Sequence, residues 1–266
     1  MNRVIIQLSD LHLLSDIEST VREVPTWRTL SEVLSVIRQR DEGEFQLVIT
    51  GDLAQAGERV AYERLAEWLQ EWRPRCLVVP GNHDHRSTLR DVFDLPRASS
   101  AEDPDSICFS EPLGEWRLIG VDSQIPGEVG GALSAGQLEW LESELASQSQ
   151  QPTILFMHHP PFSVDSTWAD AIGLANQEAF WQTIERFPQV RSVVSGHVHQ
   201  QYSAIRGDVL CLTTPATSFQ FKPGSESAQF DPVSPGFRLL VLREGRVDTE
   251  VVRLPRLAFP PRVVEN

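Results

Sequence analysis

The chain has 266 residues and is acidic, with 23 lysines and arginines against 37 aspartates and glutamates and a formal net charge of −14. Hydrophobic residues make up 41% and charged residues 23%, which excludes a disordered tail protein, a collagen and a small disulfide scaffold. Long nucleic acid is not an expected partner, because binding it requires many cations that neutralise phosphates. A small anionic substrate stays compatible with the charge, since a local site can differ in sign from the whole molecule.

Strand-like apolar runs alternate with helical patterns along the chain. In the first part, strands are predicted at residues 4–8, 45–50 and 76–79, with helices at 26–40 and 58–72. Strands at 116–121, 153–157 and 191–194 follow, with helices at 134–147 and 177–187. The helix at 134 opens with a capping box of Ser134 and Gln137.

After His199 the pattern changes to strands without long helices, at residues 201–206, 209–213, 237–243 and 246–254. Glu244-Gly245 is predicted to be a hairpin turn between the last two strands. The whole pattern predicts the α/β class and one domain over residues 1–266, with 200–266 forming the C-terminal strands and a surface tail.

The three cysteines lie far apart, without a metal-binding spacing, and each falls in a short apolar run: Cys76, Cys108 and Cys211. This favours buried thiols in strands over disulfides. The sequence shows neither a signal-peptide pattern nor an apolar stretch of 18 residues. We therefore expect a cytoplasmic protein that does not enter a membrane.

Polar segments follow five of the predicted strands, at the strand ends where open α/β sheets bind ligands. All seven histidines lie in these segments, which are residues 9–12, 50–52, 80–85, 158–161 and 195–199. Taken singly, an aspartate often caps a turn, and a lone histidine is more often an ordinary core residue than a ligand. The joint pattern indicates a metal centre.

Seven residues of these segments are candidate metal ligands: Asp10, His12, Asp52, Asn82, His158, His197 and His199. Mixed nitrogen and oxygen donors suit Mn, Fe, Zn or Co, whereas a cage made only of oxygens suits Mg or Ca. Seven ligands are too many for one ion and natural for two ions that share a carboxylate.

The motifs Asp10-x-His12, Gly51-Asp52, Gly81-Asn82-His83-Asp84, His158 and Gly196-His197-x-His199, in that order, resemble the calcineurin-like metallophosphoesterase superfamily. The resemblance implies a four-layer α-β-β-α sandwich of two mixed β-sheets flanked by helices, with a dinuclear centre at one edge. It implies that one ion is held by Asp10, His12, Asp52 and His199, and the other by Asp52, Asn82, His158 and His197. One departure is Gln55-Ala56-Gly57, where relatives often carry an acidic residue that is not a ligand.

Segments outside the metal motifs are similar to bacterial class III cyclic AMP phosphodiesterases, among them Ala61-Tyr62, Val121-Asp122-Ser123-Gln124, Ser166-Thr167-Trp168 and Pro235-Gly236-Phe237-Arg238. This resemblance implies a small-molecule substrate, 3′,5′-cyclic AMP, which a metal-bridging hydroxide hydrolyses to the 5′-monophosphate. It also implies two ions per chain, with Fe and Mn suggested and Zn or Co as alternatives.

The leaving oxygen of such a reaction needs a proton, and His83, beside Asn82 yet outside both ligand sets, is expected to supply it. Asp84 is expected either to orient His83 or to cap the following helix. Substrate contacts are expected from Asn82, His83, His199, His159 and Lys222, and the resemblance adds Trp168, Asn176 and Phe221 as candidates for a wall beside the nucleobase. Phe219 is a further candidate for the wall beside the nucleobase.

Two other functions stay open. One is a broader phosphodiesterase or phosphatase that acts on glycerophosphodiesters or 2′,3′-cyclic nucleotides. The other is a non-catalytic scaffold that binds metal. The chain is expected to be a monomer or a homodimer, and the apolar tail at residues 257–264 could pack within one chain or across a dimer.

Overall fold

The computed structural model describes residues 3–40, 42–96 and 103–262. Within these ranges the strands are β1 (Arg3–Leu8), β2 (Phe45–Thr50), β3 (Cys76–Val79), β4 (Phe109–Leu113), β5 (Trp116–Gly120), β6 (Thr153–Met157), β7 (Val190–Ser195), β8 (Tyr202–Arg206), β9 (Val209–Thr213), β10 (Gln220–Phe221), β11 (Phe230–Asp231), β12 (Gly236–Arg243) and β13 (Arg246–Arg253). The α-helices of the same ranges are α1 (Thr26–Gln39), α2 (Arg59–Trp68), α3 (Arg86–Phe93), α4 (Ala135–Ser147), α5 (Thr167–Asp170) and α6 (Gln177–Ile184). None of these helices combines the length and apolarity needed to cross a bilayer.

The long strands form two mixed sheets. The first has the order β13-β12-β1-β2-β3, and the second has the order β4-β5-β6-β7-β9-β8. In each sheet the central strands run parallel, while β12 and β13 in the first and β4 and β8 in the second run antiparallel to their neighbours. β10 and β11 form a separate two-stranded ribbon.

Three apolar layers separate the elements of this fold. Ile6 faces helices α1 to α3, whereas its neighbour Ile5 faces the second sheet, because successive strand residues point to opposite faces. Between the sheets, Ile5 shares a core with Phe156 and Val194. The second sheet packs its outer face on α4 and α6, through side chains such as Leu141. The predicted four-layer sandwich is therefore confirmed.

Two local predictions are confirmed. Ser134 Oγ accepts from the Gln137 backbone N–H at 3.1 Å while Gln137 Oε1 accepts from the Ser134 N–H at 2.8 Å, which completes the capping box of α4. Arg243 pairs with Arg246 across the Glu244-Gly245 turn. Several details differ. Helix α2 ends at Trp68 rather than 72 and α6 at Ile184 rather than 187, and α3 was expected only as a helix after Asp84, without bounds. The short elements α5, β10 and β11 were not predicted, and Cys108 directly precedes β4 rather than lying within a strand.

The C-terminal segment contributes to both sheets, since β8 and β9 join the second sheet while β12 pairs with β1 of the first. Beyond β13 the described tail runs beside the N-terminal part of the chain. The Arg28 guanidinium lies 4.9 Å from the centre of the Phe259 ring, and Arg262 N donates to Arg22 O at 3.1 Å. The end of the predicted tail, residues 263–264, lies outside the described residues.

Candidate metal centre

The structure brings all seven predicted ligands together at one edge shared by the two sheets. Asp10, Asp52 and Asn82 follow β1, β2 and β3 of the first sheet, and the histidine ligands after Met157 and Ser195 follow β6 and β7 of the second. Hydrogen bonds join the two sides: His197 N donates to the Asp10 carboxylate at 3.1 Å, and His158 Nδ1 to Thr50 O at 2.7 Å. The ends of the parallel strands thus deliver the ligands to one place.

The backbone is left-handed at most of these ligands. The φ angles are 54° at Asp10, 51° at His12, 52° at Asp52, 69° at His197 and 48° at His199. Outside glycine, this conformation costs on the order of 1 kcal/mol per residue and concentrates at functional sites. The left-handed backbone at these residues directs their side chains into one cluster, and the strain is the energetic cost of that arrangement.

Close packing around the ligands requires glycine at two neighbouring positions. A Cβ atom at Gly81 would lie 2.2 Å from Asp52 Oδ1, and one at Gly51 would lie 2.4 Å from His158 Nδ1. Gly51 also has a φ of 90°, which other residues rarely adopt. Any side chain at these positions would displace a ligand.

Each histidine ligand also bonds to an oxygen on the side of its ring away from the cluster. The acceptors are Gln55 Oε1 for His12 Nδ1 at 2.9 Å, Thr50 O for His158 Nδ1 at 2.7 Å, Phe219 O for His199 Nδ1 at 2.8 Å and Ile172 O for His197 Nε2 at 3.0 Å. A carbonyl oxygen only accepts, so these nitrogens carry the ring proton. The opposite nitrogen of each ring is thereby oriented toward the cluster, as in histidines that bind metals.

The nitrogens that face the cluster lie in two close pairs. His12 Nε2 and His199 Nε2 are 3.0 Å apart, and His158 Nε2 and His197 Nδ1 are 3.2 Å apart. Ligand atoms that share one ion, with bonds of about 2.1 Å, lie about 3 Å from each other. Facing lone pairs at this distance repel unless a cation or a proton separates them, so the donor set fits metal ions.

Three oxygens complete the two groups. Asp10 Oδ1 is 3.4 Å from His199 Nε2, and Asn82 Oδ1 is 3.3 Å from His158 Nε2. Asp52 Oδ2 lies between the groups, 3.6 Å from His12 Nε2 and 3.5 Å from His158 Nε2. The arrangement fits two ions that share Asp52, which is the grouping implied by the family resemblance.

Burial and mutual contact set the charge of the cluster. Burial lowers the pKa of three histidines: to about 4 for His12, and well below the ordinary value for His197 and His199. For His158 burial acts in the same direction, but the adjacent Asp52 carboxylate outweighs it and raises the pKa to about 9. Burial raises the pKa of Asp10 to about 7. Without a cation, the cluster therefore holds a proton on His158 and, below neutral pH, another on Asp10.

His83 lies beside the cluster, and its ring is fixed by Gln55. Its Nδ1 is 2.8 Å from Gln55 O, so this nitrogen carries a proton and Nε2 is left for other contacts. The backbone N–H of His83 donates to Asp52 Oδ1 at 2.9 Å. Gln55 thus contacts both His83 and the ligand His12, at the position where the sequence departs from the family pattern.

The Asp84 carboxylate bonds to the loops that follow β2 and β3, and not to the His83 ring. Its carboxylate accepts hydrogen bonds from Leu53 N at 3.0 Å, Ala54 N at 3.1 Å, Gly81 N at 2.9 Å and Tyr62 Oη at 2.9 Å. The expected orientation of His83 by Asp84 is not found, and α3 begins after His85 without a side-chain cap. Asp84 ties the residues after Asp52 to the residue before Asn82.

A cavity of about 390 Å³ opens directly on the cluster. Its lining includes Asn82, His83, the ligand histidines His12, His197 and His199, and four aromatic rings: Trp168, Phe219, Phe221 and Phe230. Phe221 and Phe230 stack with their ring centres 5.5 Å apart, and Phe221 lies 5.0 Å from the ring centre of His199. The cavity thus joins an aromatic wall to the proposed metal site.

Three predicted substrate residues lie elsewhere. His159 is fully buried and its ring bonds to Ser123 Oγ and Val129 O, so it lies behind the cluster. Asn176 bonds to the backbone N–H and carbonyl of Leu133 through its amide. Lys222 is exposed and does not belong to the described lining of the cavity. None of these three side chains belongs to the described lining of the cavity.

Six lining residues were missed by the sequence reasoning: Val21, Arg22, Val129, Ile172, Ala228 and Phe230. Two of them, Phe230 and Arg22, bear on binding. Phe230 belongs to the two-residue strand β11, whose pairing with β10 brings its ring onto Phe221. Arg22 lies in a turn far from every motif. A short isolated strand and a turn leave no periodic signal, so neither residue had a pattern that could reveal it.

The fold and the cluster together define a metallophosphoesterase. The sequence matches the family Calcineurin-like phosphoesterase over residues 3–201, and the chain belongs to that family, whose members use a dinuclear metal centre. The prediction of a phosphoesterase enzyme is confirmed.

Individual relatives within the family have names that state a substrate. The chain is 35% identical over 97% of its length, and 92% of theirs, to the 3′,5′-cyclic adenosine monophosphate phosphodiesterase CpdA of Vibrio vulnificus. The enzyme of the same name from Escherichia coli is 34% identical, with the same coverage. A dimetal phosphatase from Danio rerio shares the fold, with a TM-score of 0.67 at 18% identity over 94% of this chain and 98% of that one.

Proposed function

We propose that this protein hydrolyses 3′,5′-cyclic AMP to the 5′-monophosphate. The observation that carries the proposal is the aromatic wall of the cavity, which lies directly beside the ligand cluster. A flat ring system stacks favourably on such a wall, and it would place the attached phosphodiester toward the histidines. Near full-length similarity to enzymes named for cyclic AMP supports the same substrate.

Asp10, His12, Asp52 and His199 would hold one divalent ion, and Asp52, Asn82, His158 and His197 the other. Such ions supply Lewis-acid activation of water and of phosphoryl oxygens. The nitrogen and oxygen donors suit Fe or Mn, and also Zn or Co. The protein fixes the ligands through the carbonyl oxygens on the far sides of the rings.

His83 is the proposed general acid. Its Nδ1–H donates to Gln55 O, which leaves Nε2 as the nitrogen that would donate a proton to the leaving O3′. His83 also lines the cavity. Proton donation to the leaving oxygen balances the charge that develops as the ring of the cyclic diester opens.

The size of the cavity favours a compact substrate. A volume of about 390 Å³ is within the range of small-molecule sites, and the acidic chain offers little attraction to a polyanion. We also propose a cytoplasmic location, since the three cysteines are free thiols, which suits a reducing compartment. A monomer or a homodimer remains the expected assembly.

The test is hydrolysis by protein reconstituted with Mn²⁺ or Fe²⁺, followed by chromatography of products from cyclic AMP, cyclic GMP, a 2′,3′-cyclic nucleotide and a glycerophosphodiester. Cyclic AMP should give 5′-AMP at the highest kcat/KM. Asn82→Ala should abolish turnover, and His83→Ala should lower kcat by a factor of about 10² to 10⁴ while metal content is retained.

His85→Ala is the matched control, because this exposed histidine lies two residues from His83 and bonds to Thr88. Its kcat should equal that of the wild type. Cleavage of the other diesters with cyclic AMP left intact would refute the proposed substrate in favour of a broader phosphodiesterase. A folded protein that binds metal but cleaves none of these esters would favour the non-catalytic scaffold.

A further inference from the structure

A tight turn at residues 21–24 lies at the mouth of the cavity. Val21 and Val24 exchange two backbone hydrogen bonds of 3.0 and 2.9 Å. The two residues between them, Arg22 and Glu23, have φ angles of 52° and 66°. Positive φ at both central residues defines a type I′ turn, which normally uses Asn-Gly. Arginine and glutamate occupy this turn at a cost in backbone strain.

The C-terminal tail holds this turn from outside. Arg262 N donates to Arg22 O at 3.1 Å, and Arg262 Nε lies 3.1 Å from Glu23 Oε2. A strained conformation persists only where surrounding structure imposes it. The backbone of Arg22 is therefore fixed by tertiary contacts, although its side chain is exposed.

Arg22 is the only arginine or lysine on the lining of the cavity within the described part of the chain. Its guanidinium has no ion pair or hydrogen bond with any residue that the structure describes. Several other exposed arginines pair with carboxylates, for example Arg38 with Glu71 at 2.8 Å and Arg186 with Glu142 at 2.7 Å, whereas Arg3 and Arg256, away from the cavity lining, do not. An unpaired cation thus stands at the entrance to a cavity that is proposed to take a phosphodiester, in a chain of net charge −14.

We propose that Arg22 is a substrate-binding residue whose guanidinium contacts the anionic phosphate side of the nucleotide, and that the turn retains its strain to present this cation. The inference rests on the proposed function for its natural ligand, but it requires only that the cavity binds a phosphate ester. The 5′-monophosphate product carries a second negative charge and should depend on Arg22 more strongly than the cyclic substrate.

The first test compares Arg22→Gln and Arg22→Lys with the wild type. Arg22→Gln should raise KM for cyclic AMP about three- to tenfold, raise the Kd of AMP on the Mn²⁺-loaded protein by a larger factor, and leave kcat within about twofold. Arg22→Lys keeps the charge and should recover most of the affinity. The salt dependence of kcat/KM should become shallower in Arg22→Gln alone.

Arg243→Gln is the matched control. Arg243 is also exposed, and its Nε lies 3.0 Å from Asp248 Oδ2. It stands at the end of β12 that pairs with the start of β1, away from the ligand edge. Removing its charge should leave KM and the Kd of AMP unchanged. If Arg243→Gln weakened binding as much as Arg22→Gln, the effect would come from net charge and the proposal would be overturned.

Stability gives a second readout. Glycine adopts positive φ without strain, so Arg22→Gly should raise the thermal midpoint of unfolding while it raises KM. A merely structural role for Arg22 predicts a lower midpoint instead.

Bis(p-nitrophenyl) phosphate separates this inference from the proposed function. If the wild type cleaves that diester but not cyclic AMP, the proposed function fails, and a raised KM for the diester in Arg22→Gln still supports the inference. Unchanged KM and unchanged Kd of AMP in Arg22→Gln would overturn the inference.

Discussion

Metal binding to the cluster should release protons, because two of its ligands hold protons near neutral pH. The pKa of His158 is raised to about 9 by the Asp52 carboxylate, which outweighs burial, and burial raises the pKa of Asp10 to about 7. A cation needs the Nε2 lone pair of His158 and the ionised carboxylate of Asp10. The experiment therefore measures metal affinity while the pH is varied from 6 to 8 at constant ionic strength.

The magnitude follows from these two values. At pH 7 a group with a pKa of about 9 is protonated by a ratio of about 100 to 1, so displacing the proton of His158 costs about 3 kcal/mol of the metal binding free energy. Between pH 7 and 8 one proton is displaced, and the apparent affinity should rise about tenfold per pH unit. Below pH 7 Asp10 adds a second proton, and the slope of log K against pH should approach about 2.

Isothermal titration of the metal-free protein with Mn²⁺ measures both quantities. Repeating it in buffers of different ionisation enthalpy gives the number of protons released, and the pH series gives the slope. His85→Gln is a control outside the cluster and should show the same slope as the wild type. An affinity that does not change between pH 6 and 8, or a heat independent of the buffer, would refute the charge assignment of His158 and Asp10.

Two further predictions concern residues that touch the loops and the wall. Asp84→Ala leaves four buried donors without their acceptor and should lower the free energy of unfolding by about 2–4 kcal/mol in urea titrations. Asp91→Ala, which removes an exposed carboxylate paired with Arg59, should change it by less than about 0.5 kcal/mol, and equal losses would contradict the role of Asp84. Phe230→Ala should raise KM for cyclic AMP about three- to tenfold with inhibition by inorganic phosphate unchanged, because the ring stacks on Phe221 and not on the metal ligands. Weaker phosphate inhibition would show instead that the cluster itself had been disturbed.

The fold and the ligand cluster were accessible from the sequence because they depend on local order. A buried strand followed at once by aspartate or histidine places the polar side chain at a predictable sheet edge, as for Asp52 after β2 and His158 after β6. What could not be predicted depends on contacts between distant segments. Asn176 looked available for substrate, but its amide bonds to the backbone of Leu133, 43 residues away. Asp84 looked like a partner of its neighbour His83, but it satisfies N–H groups of another loop.

Left-handed backbone is a second property that the sequence concealed. At Asp10, Asp52 and His197 the residue types tolerate positive φ, whereas nothing in the sequence distinguishes Arg22 from residues with ordinary geometry. In both classes the strain is imposed by neighbours: the sheet edge for the ligands, and the tail residue Arg262 for the turn. Strain at these positions therefore marks where tertiary structure holds a side chain for binding.

The net charge of −14 takes on a different meaning once the cluster is resolved. Only Asp10 and Asp52 among the seven proposed ligands are acidic, so two divalent ions would bring a charge of +4 against −2 and leave the floor of the cavity positive. At the mouth, the sole described arginine or lysine of the lining is Arg22. Attraction for an anion is thus confined to a cavity of about 390 Å³, while the rest of the surface repels polyanions. The charge distribution selects for a small phosphate ester over a nucleic acid. Increasing salt should weaken that selection, because salt screens the repulsion between the acidic surface and a polyanion more than the contacts inside the cavity.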